Sequence, residues 1–382
     1  MIKFNFKDLI LNILERSSLK RKRVVADELF RRVESLTAVP SRTTKTIMND
    51  LSIIKRVVEA YRRSAGETEN QGDSMWKIFF DQRHVELHKI FMHGNLDEAA
   101  AILRNPGASD LFYGFDNLVA SLHSHFASTA FQQNHANECL DCLVRFAEAI
   151  GAVPLDYPYN HSYTPPIPWQ ADAIVDKIIQ ALGSPITFPT PYPDELGVLT
   201  SYGIISYRVP QSLYQAYRLK QLLRTTENPR VLEIGAGLGR TAYYARTLGI
   251  KDYTIVDLPF TSLSSGYFLG CALGEDQILC SGEQASDSRE RIKMLTPAEF
   301  FASSNEYDLI INADGLTEMD PTIAKAYWEK IEKSTPLLLS INHEANIYRI
   351  KPLIDESLSV VEVERHLYWL RKGYVEEVVR FK

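Results

Sequence analysis

The chain has 382 residues, 45% hydrophobic and 24% charged, with a formal charge of −6, four cysteines and 18 prolines. This composition excludes a disordered, collagen-like or disulfide-framed protein, and the length predicts a large domain carrying a smaller one, or two domains. Net negative charge also speaks against a general nucleic-acid binder, because neutralising phosphates takes a clustered basic surface.

In chain order, residues 4–62 predict two or three amphipathic helices, with Leu9, Ile10, Ile13 and Leu14 at helical spacing. They read as a separate helical arm. Residues 1–63 hold 15 Lys/Arg against 7 Asp/Glu, which leaves −14 for the rest. The run Lys20, Arg21, Lys22, Arg23 could meet an acidic partner or a membrane surface, although such runs are usually a solvated helix face. Lys3, Lys7, Asp8 and Glu15 interrupt the apolar start, no small-residue cleavage site follows, and no apolar run approaches the ~20 residues of a membrane span. A cytoplasmic protein with no membrane span is therefore expected, and so few cysteines agree with a reducing compartment.

The polar stretch SAGETENQGDS, 64–74, is a linker candidate. Helical patterns return from Met75 to about Gly151, broken by the turn-rich NPGASD at 105–110. Cys139 and Cys142 form a CxxC within NECLDCLVRFAEAI, but without a second pair or a histidine cluster they read as a buried helix face. Residues 1–150 thus predict a helical N-terminal domain, which could serve dimerisation and act as a lid. Residues 151–210 concentrate proline and tyrosine around one short helix, 169–182, and predict an irregular connector with substrate loops. Its tyrosines either offer ring faces and hydroxyls to a ligand or pack structurally.

From 211 the chain alternates. Helices are predicted at 211–224, about 239–248, 261–273 and 321–333, and strands at 230–235, 253–257, 308–312 and 337–341, with short strands at ILCS and IKML. SVVEVERHLYWL and YVEEVVRFK, joined by RKG, predict a closing antiparallel hairpin. This is an α/β register, a mostly parallel sheet with an antiparallel terminal hairpin.

The first strand runs into VLEIGAGLGR, residues 231–240, with glycines at every second position after an acid. At the carboxyl end of a strand in a doubly wound sheet, Gly235, Gly237 and Gly239 let a ligand approach the backbone. The nicotinamide fingerprint would need glycine where Arg240 stands. Asp257, at the end of the next strand, can accept hydrogen bonds from two ribose hydroxyls, which suits adenosine-containing ligands in general.

Glu233, the three glycines and Asp257 together resemble the class I S-adenosylmethionine-dependent methyltransferases, from about Arg208 to Lys382. The resemblance implies a Rossmann-like sheet and S-adenosyl-L-methionine as cofactor, with Leu258, Leu295 and Asn312 completing its shell. VDLPF, SSGYFLGCAL, YDLIINADGLTEMD and LSINHE, with the upstream WKIFF, ILRNPGASDLFYGFDN and SYGIISYRVPQSLYQAYRL, look more narrowly like the bacterial sugar O-methyltransferases. The chain departs from them at Ala313 and Gly315, where that family has serine-like residues. The implied activity is O-methylation of a sugar or of a glycosylated natural product or polysaccharide, with Tyr202, Arg208 and Glu344 as acceptor contacts. A phenolic or polyketide acceptor, a non-catalytic scaffold and an oxidoreductase are the competing readings.

An aliphatic hydroxyl needs a base near the operating pH. NADGLTEMD and NHE offer Asp314, Glu318, His343 and Glu344. His343 has the best ordinary pKa for the task, with Asp314 or Glu318 binding a neighbouring hydroxyl or orienting the imidazole; a purely structural histidine is the alternative. The same carboxylates could instead hold a divalent cation, although no metal ligand is assigned. Amphipathic helices without a sheet of their own suggest a homodimer.

Overall fold

The computed structural model describes residues 38–43, 50–66, 74–116, 128–155, 170–346 and 348–382. The basic run at Lys20–Arg23, the helices expected before residue 38, most of the 64–74 linker and most of the proline- and tyrosine-rich stretch ending at 169 lie outside them.

The main sheet is built from β4 (Arg230–Ile234), β5 (Asp252–Val256), β6 (Ile278–Leu279), β7 (Ile292–Leu295), β8 (Leu309–Ala313), β9 (Leu337–His343), β10 (Val360–Leu367) and β11 (Tyr374–Phe381). Its order is β10-β11-β9-β8-β4-β5-β7-β6, parallel from β9 to β6, with β11 antiparallel between β9 and β10. This is a Rossmann-like sheet, mostly parallel with an antiparallel terminal hairpin, as expected. Its central strands are nearly continuous apolar runs because helices cover both faces. The five residues of β5 are all buried.

Before this sheet come the helices α1 (Leu51–Ser64), α2 (Met75–Phe79), α3 (Val85–His93), α4 (Leu96–Arg104), α5 (Thr129–Ala149) and α6 (Ala171–Leu182). Interleaved with the sheet are α7 (Arg208–Leu222), α8 (Arg240–Thr247), α9 (Pro259–Leu273), α10 (Pro297–Ala302), α11 (Gly315–Glu318), α12 (Pro321–Ser334) and α13 (Ile350–Glu356). One core unites α1, α5, α7, α8 and α9 on one face of the sheet. The other gathers Phe300, Trp328, Ile354 and Phe381 on the opposite face.

Two expectations are corrected. The described part of the N-terminal arm is not separate, because α1 lies directly on α9. A Cβ added at Gly270 would stand 2.5 Å from Ile53 Cγ1, so the absence of a side chain lets the two helices close. Asp50, just before α1, accepts from Arg104 at 3.0 Å and from the Tyr267 hydroxyl, which ties α4 and α9 to the same point. Nor is 151–210 irregular throughout. β2 (Leu196–Thr200) and β3 (Gly203–Ile205) form a hairpin, and β1 (Pro40–Arg42) joins it to make a three-stranded antiparallel sheet. The last proline of the stretch before β2 is Pro193, so its backbone donors are free to pair. Cys139 and Cys142 are buried on α5 as read, with the Cys142 thiol pushed up to about 12 by burial.

Candidate active site

The chain runs β4, β5 and β7 outward on one side, then returns to place β8 on the other side of β4. At such a reversal the carboxyl ends of the strands leave a crevice. The loop after β4 lines it. Gly235, Gly237 and Gly239 have φ of +75°, +56° and +82°, a region costly for any residue with a Cβ. The Gly235 N–H donates to the Val256 carbonyl at 2.9 Å, and Gly239 caps α8. Here a Cβ would sit 3.0 Å from Leu269 Cδ1.

Two acids anchor the loop. Glu233 is buried, and burial pushes its carboxyl up to about 7, while the Tyr253 hydroxyl, donating at 2.9 Å, pulls it back. Asp257 is half-buried; its Oδ2 accepts from the Gly237 N–H at 3.0 Å and its Oδ1 from the Leu258 N–H at 2.7 Å. Burial outweighs those donors and lifts Asp257 to about 7 as well.

Above the loop opens a cavity of about 510 Å³, within the ~300–1,000 Å³ typical of small-molecule sites. One wall is a face of α7, on which Arg208, Gln211, Ser212 and Gln215 recur at helical spacing. Trp76, Phe115, Phe301 and Tyr327 supply aromatic surface, two of them from the helical region before the sheet. Asp314, Gly315 and Glu318, just after β8, also line it, with Gly315 Cα 3.4 Å from where a Cβ at Gly235 would stand.

Asp314 adopts φ +67°, a strained value for a non-glycine residue. Its Oδ2 accepts from Arg371 at 2.9 Å and lies 3.5 Å from Arg208 Nη1. Glu318 is pushed up to about 8, first by burial and then by the negative Asp314, against the opposing effects of Arg208, the Trp76 indole N–H and Arg371. It is therefore a carboxyl poised to exchange a proton near neutral pH.

The structure brings some of the sequence-predicted residues together and not others. Glu233, Gly235, Gly237, Asp257, Leu258, Arg208, Asp314 and Glu318 line the cavity. Gly239 shapes it from below. Asn312 is fully buried behind the loop, donating to the Ile234 carbonyl at 2.9 Å, and the Leu295 carbonyl accepts the Asp257 N–H at 3.4 Å, so both support the crevice without lining it.

His343 is not among the lining residues. Strand alternation turns Asn342 toward Asn312 and sends His343 the other way, edge-on to Tyr374 at 5.3 Å between ring centroids. Tyr202 sits in the β2–β3 turn, where its hydroxyl donates to Asp176 at 2.5 Å, and Glu344 is exposed and paired with Arg365 at 2.8 Å. Neither reaches the cavity. Among the described residues no group of three or more His, Cys, Asp or Glu could hold a metal ion, so the cation route lacks a ligand set here.

Sequence reasoning missed Gln211, Ser212 and Gln215, although their spacing on a helix that begins at Arg208 was a readable signal. It also missed Arg371, in the hairpin turn, and the buried role of Arg240. That guanidinium donates to Glu195 at 2.8 Å and to Asp116 at 3.4 Å, joining the residue just before β2 and the end of the described helical segment to the start of α8. Among the described residues no helix is long and apolar enough to cross a membrane.

No protein-family model and no curated protein matches the chain. Solved structures are similar to it at low identity. Magnesium protoporphyrin IX methyltransferase from Synechocystis PCC 6803, with bound S-adenosylmethionine, is 14% identical over 45% of this chain and 83% of its own, with a TM-score of 0.31. The glycopeptide N-methyltransferase MtfA, complexed with S-adenosylmethionine, is 14% identical over 44% and 94%, with a TM-score of 0.32. A protein described as a candidate O-methyltransferase from Klebsiella pneumoniae is 14% identical over 65% and 98%, with a TM-score of 0.34. Similarity at this level assigns neither cofactor nor acceptor to the chain.

Proposed function

We propose that this protein is an S-adenosyl-L-methionine-dependent O-methyltransferase acting on a hydroxyl of a sugar or of a glycosylated natural product or polysaccharide. One observation carries the reading. A loop of three left-handed glycines, held at Gly237 by the Asp257 carboxylate, opens into the same cavity that Asp314 and Glu318 line. A cradle without side chains beside an acid that can accept ribose hydroxyls fits an adenosine-containing ligand, and Arg240 in place of the third fingerprint glycine disfavours a nicotinamide. Glu233, Gly235, Gly237, Gly239, Asp257 and Leu258 would hold the cofactor, with Leu295 and Asn312 keeping the strand ends in place.

Bound S-adenosylmethionine supplies a methyl group on a good leaving group, so the chain's task is to place the acceptor, exclude water and take a proton. Glu318 is the proposed base, accepting the hydroxyl proton on its carboxylate. His343, the base favoured by ordinary pKa alone, lies outside the cavity. Arg371 holds Asp314 in its strained conformation, which leaves Asp314 to orient the acceptor. Trp76 and Phe115 close the cavity from the helical region, the part we assign as a lid, while 211–382 forms the cofactor-binding unit. A phenolic or polyketide acceptor is the second reading, favoured by the aromatic wall of Trp76, Phe115, Phe301 and Tyr327. We also propose a homodimer, which light scattering at twice the 43.4 kDa chain mass would support.

Calorimetric titration of the purified chain with S-adenosylhomocysteine and with NAD tests the cofactor. Tighter binding of NAD sinks the proposal.

A further inference from the structure

The acceptor end of the cavity carries one cation more than it needs. Asp314 is matched by Arg371, whose Nη1 donates at 2.9 Å and whose guanidinium lies over the Tyr374 ring, 3.7 Å from its centroid. Arg208 reaches the same oxygen only at 3.5 Å, and its side chain stays 31% exposed. A guanidinium is a fork of five N–H donors, so most of the Arg208 fork remains open to the cavity it lines. Glu318, the other acid at this end, does not cancel it: burial holds its carboxyl at about 8, mostly protonated at neutral pH.

Position along α7 separates Arg208 from the Thr241 end of the cofactor loop. Gln215, which accepts from Thr241 in the first turn after that loop, stands seven residues on, or about 10 Å at the rise of an α-helix. Arg208 therefore keeps company with Asp314 and Glu318, beside Gly235 and away from Thr241.

We propose that Arg208 is an anion clamp: the acceptor bears a carboxylate or phosphate close to the hydroxyl that is methylated, and the open guanidinium fork pairs with it. The proposal rests on the methyl-transfer reading above and names the substrate class of that site. Planar two-point pairing is what distinguishes arginine from lysine toward carboxylates and phosphates. Arg371 stays with Asp314 while the anion draws Arg208 away from its long contact.

The test uses the full chain saturated with S-adenosylhomocysteine and titrates matched probes: glucuronate and glucose 6-phosphate, each against glucose, and 4-hydroxybenzoate against 4-hydroxybenzyl alcohol. At least one anionic probe should bind about tenfold or more tighter than its neutral partner, the margin of one charge-assisted pair. Arg208→Met should erase that margin and Arg208→Lys retain part of it. The responding probe tells carboxylate from phosphate. Equal affinities within every pair, or no binding of any anion, overturn the proposal. So does an Arg208→Met variant that binds S-adenosylhomocysteine poorly yet keeps the margin, since the guanidinium would then serve the cofactor's carboxylate. The comparison on the unaltered chain decides the matter even if Arg208→Met melts early. Failure of the unaltered chain to bind S-adenosylhomocysteine at all is a different result, and it removes the methyl-transfer reading instead.

Discussion

Replacing Asp257 by Asn keeps the shape of the side chain and removes its charge. In the native loop Oδ1 is committed to the Leu258 N–H at 2.7 Å and Oδ2 to the Gly237 N–H at 3.0 Å. A carboxylate oxygen has a second lone pair, so each could also accept a ribose hydroxyl. The amide offers a single acceptor oxygen, and its NH₂ must face either a backbone N–H or the ligand. Loss of one charged acceptor costs about 1.5–3 kcal/mol, or about ten- to a hundredfold in affinity. The sign with pH follows from the position of the group. Asp257 is raised to about 7, and hydroxyls donate to its ionised form, so wild-type affinity should rise as pH passes through that value and then level. The gap between wild type and Asp257→Asn should thus be full at about pH 8.5 and small at about pH 5.5. Calorimetry with S-adenosylhomocysteine at both pH values, with thermal melts as a folding control, measures it. A gap of the same size at both pH values, or affinity within about threefold of wild type at the higher one with normal melting, would refute the reasoning.

Glu318→Gln should lower turnover about a hundredfold or more, the usual worth of a general base, with S-adenosylhomocysteine affinity retained. His343→Ala should keep most activity, and wild-type turnover should climb to a plateau above about 8 in an initial-rate pH profile; equal losses in the two variants would return the base to His343. Glu233, Asp257 and Glu318 are all raised in the folded chain. Between the ordinary carboxylate range and about 7 to 8 the folded state holds protons that the unfolded chain releases, so the stability they contribute at low pH is lost as pH rises through that window. Melting of the ligand-free protein followed against pH should accordingly show a shallower fall for Glu233→Gln than for wild type. Ile53, buried on α1 against Gly270 of α9, should cost about 2–5 kcal/mol as Ile53→Ala in denaturant unfolding, from lost burial and the cavity left behind; a loss below ~1 kcal/mol would mean that the arm unfolds on its own.

Much of this protein was legible from its residues alone. The parallel strands were readable because a strand buried on both faces must be an uninterrupted apolar run, as in RVLEI and LLLSI, and the loop was readable because only glycine tolerates three left-handed positions so close together. Asp257 followed from its place at the end of the second strand. The tertiary structure alone decided what meets the loop. Periodicity tells that a helix face is buried but not against what, so the packing of α1 on α9 through Gly270 had no local signal. β1 pairs with a strand more than 150 residues away, and three residues carry too little pattern to announce a partner. Nor does sequence tell that His343, at the end of β9, turns to Tyr374 outside the cavity while Glu318, on the short helix after β8, lines it.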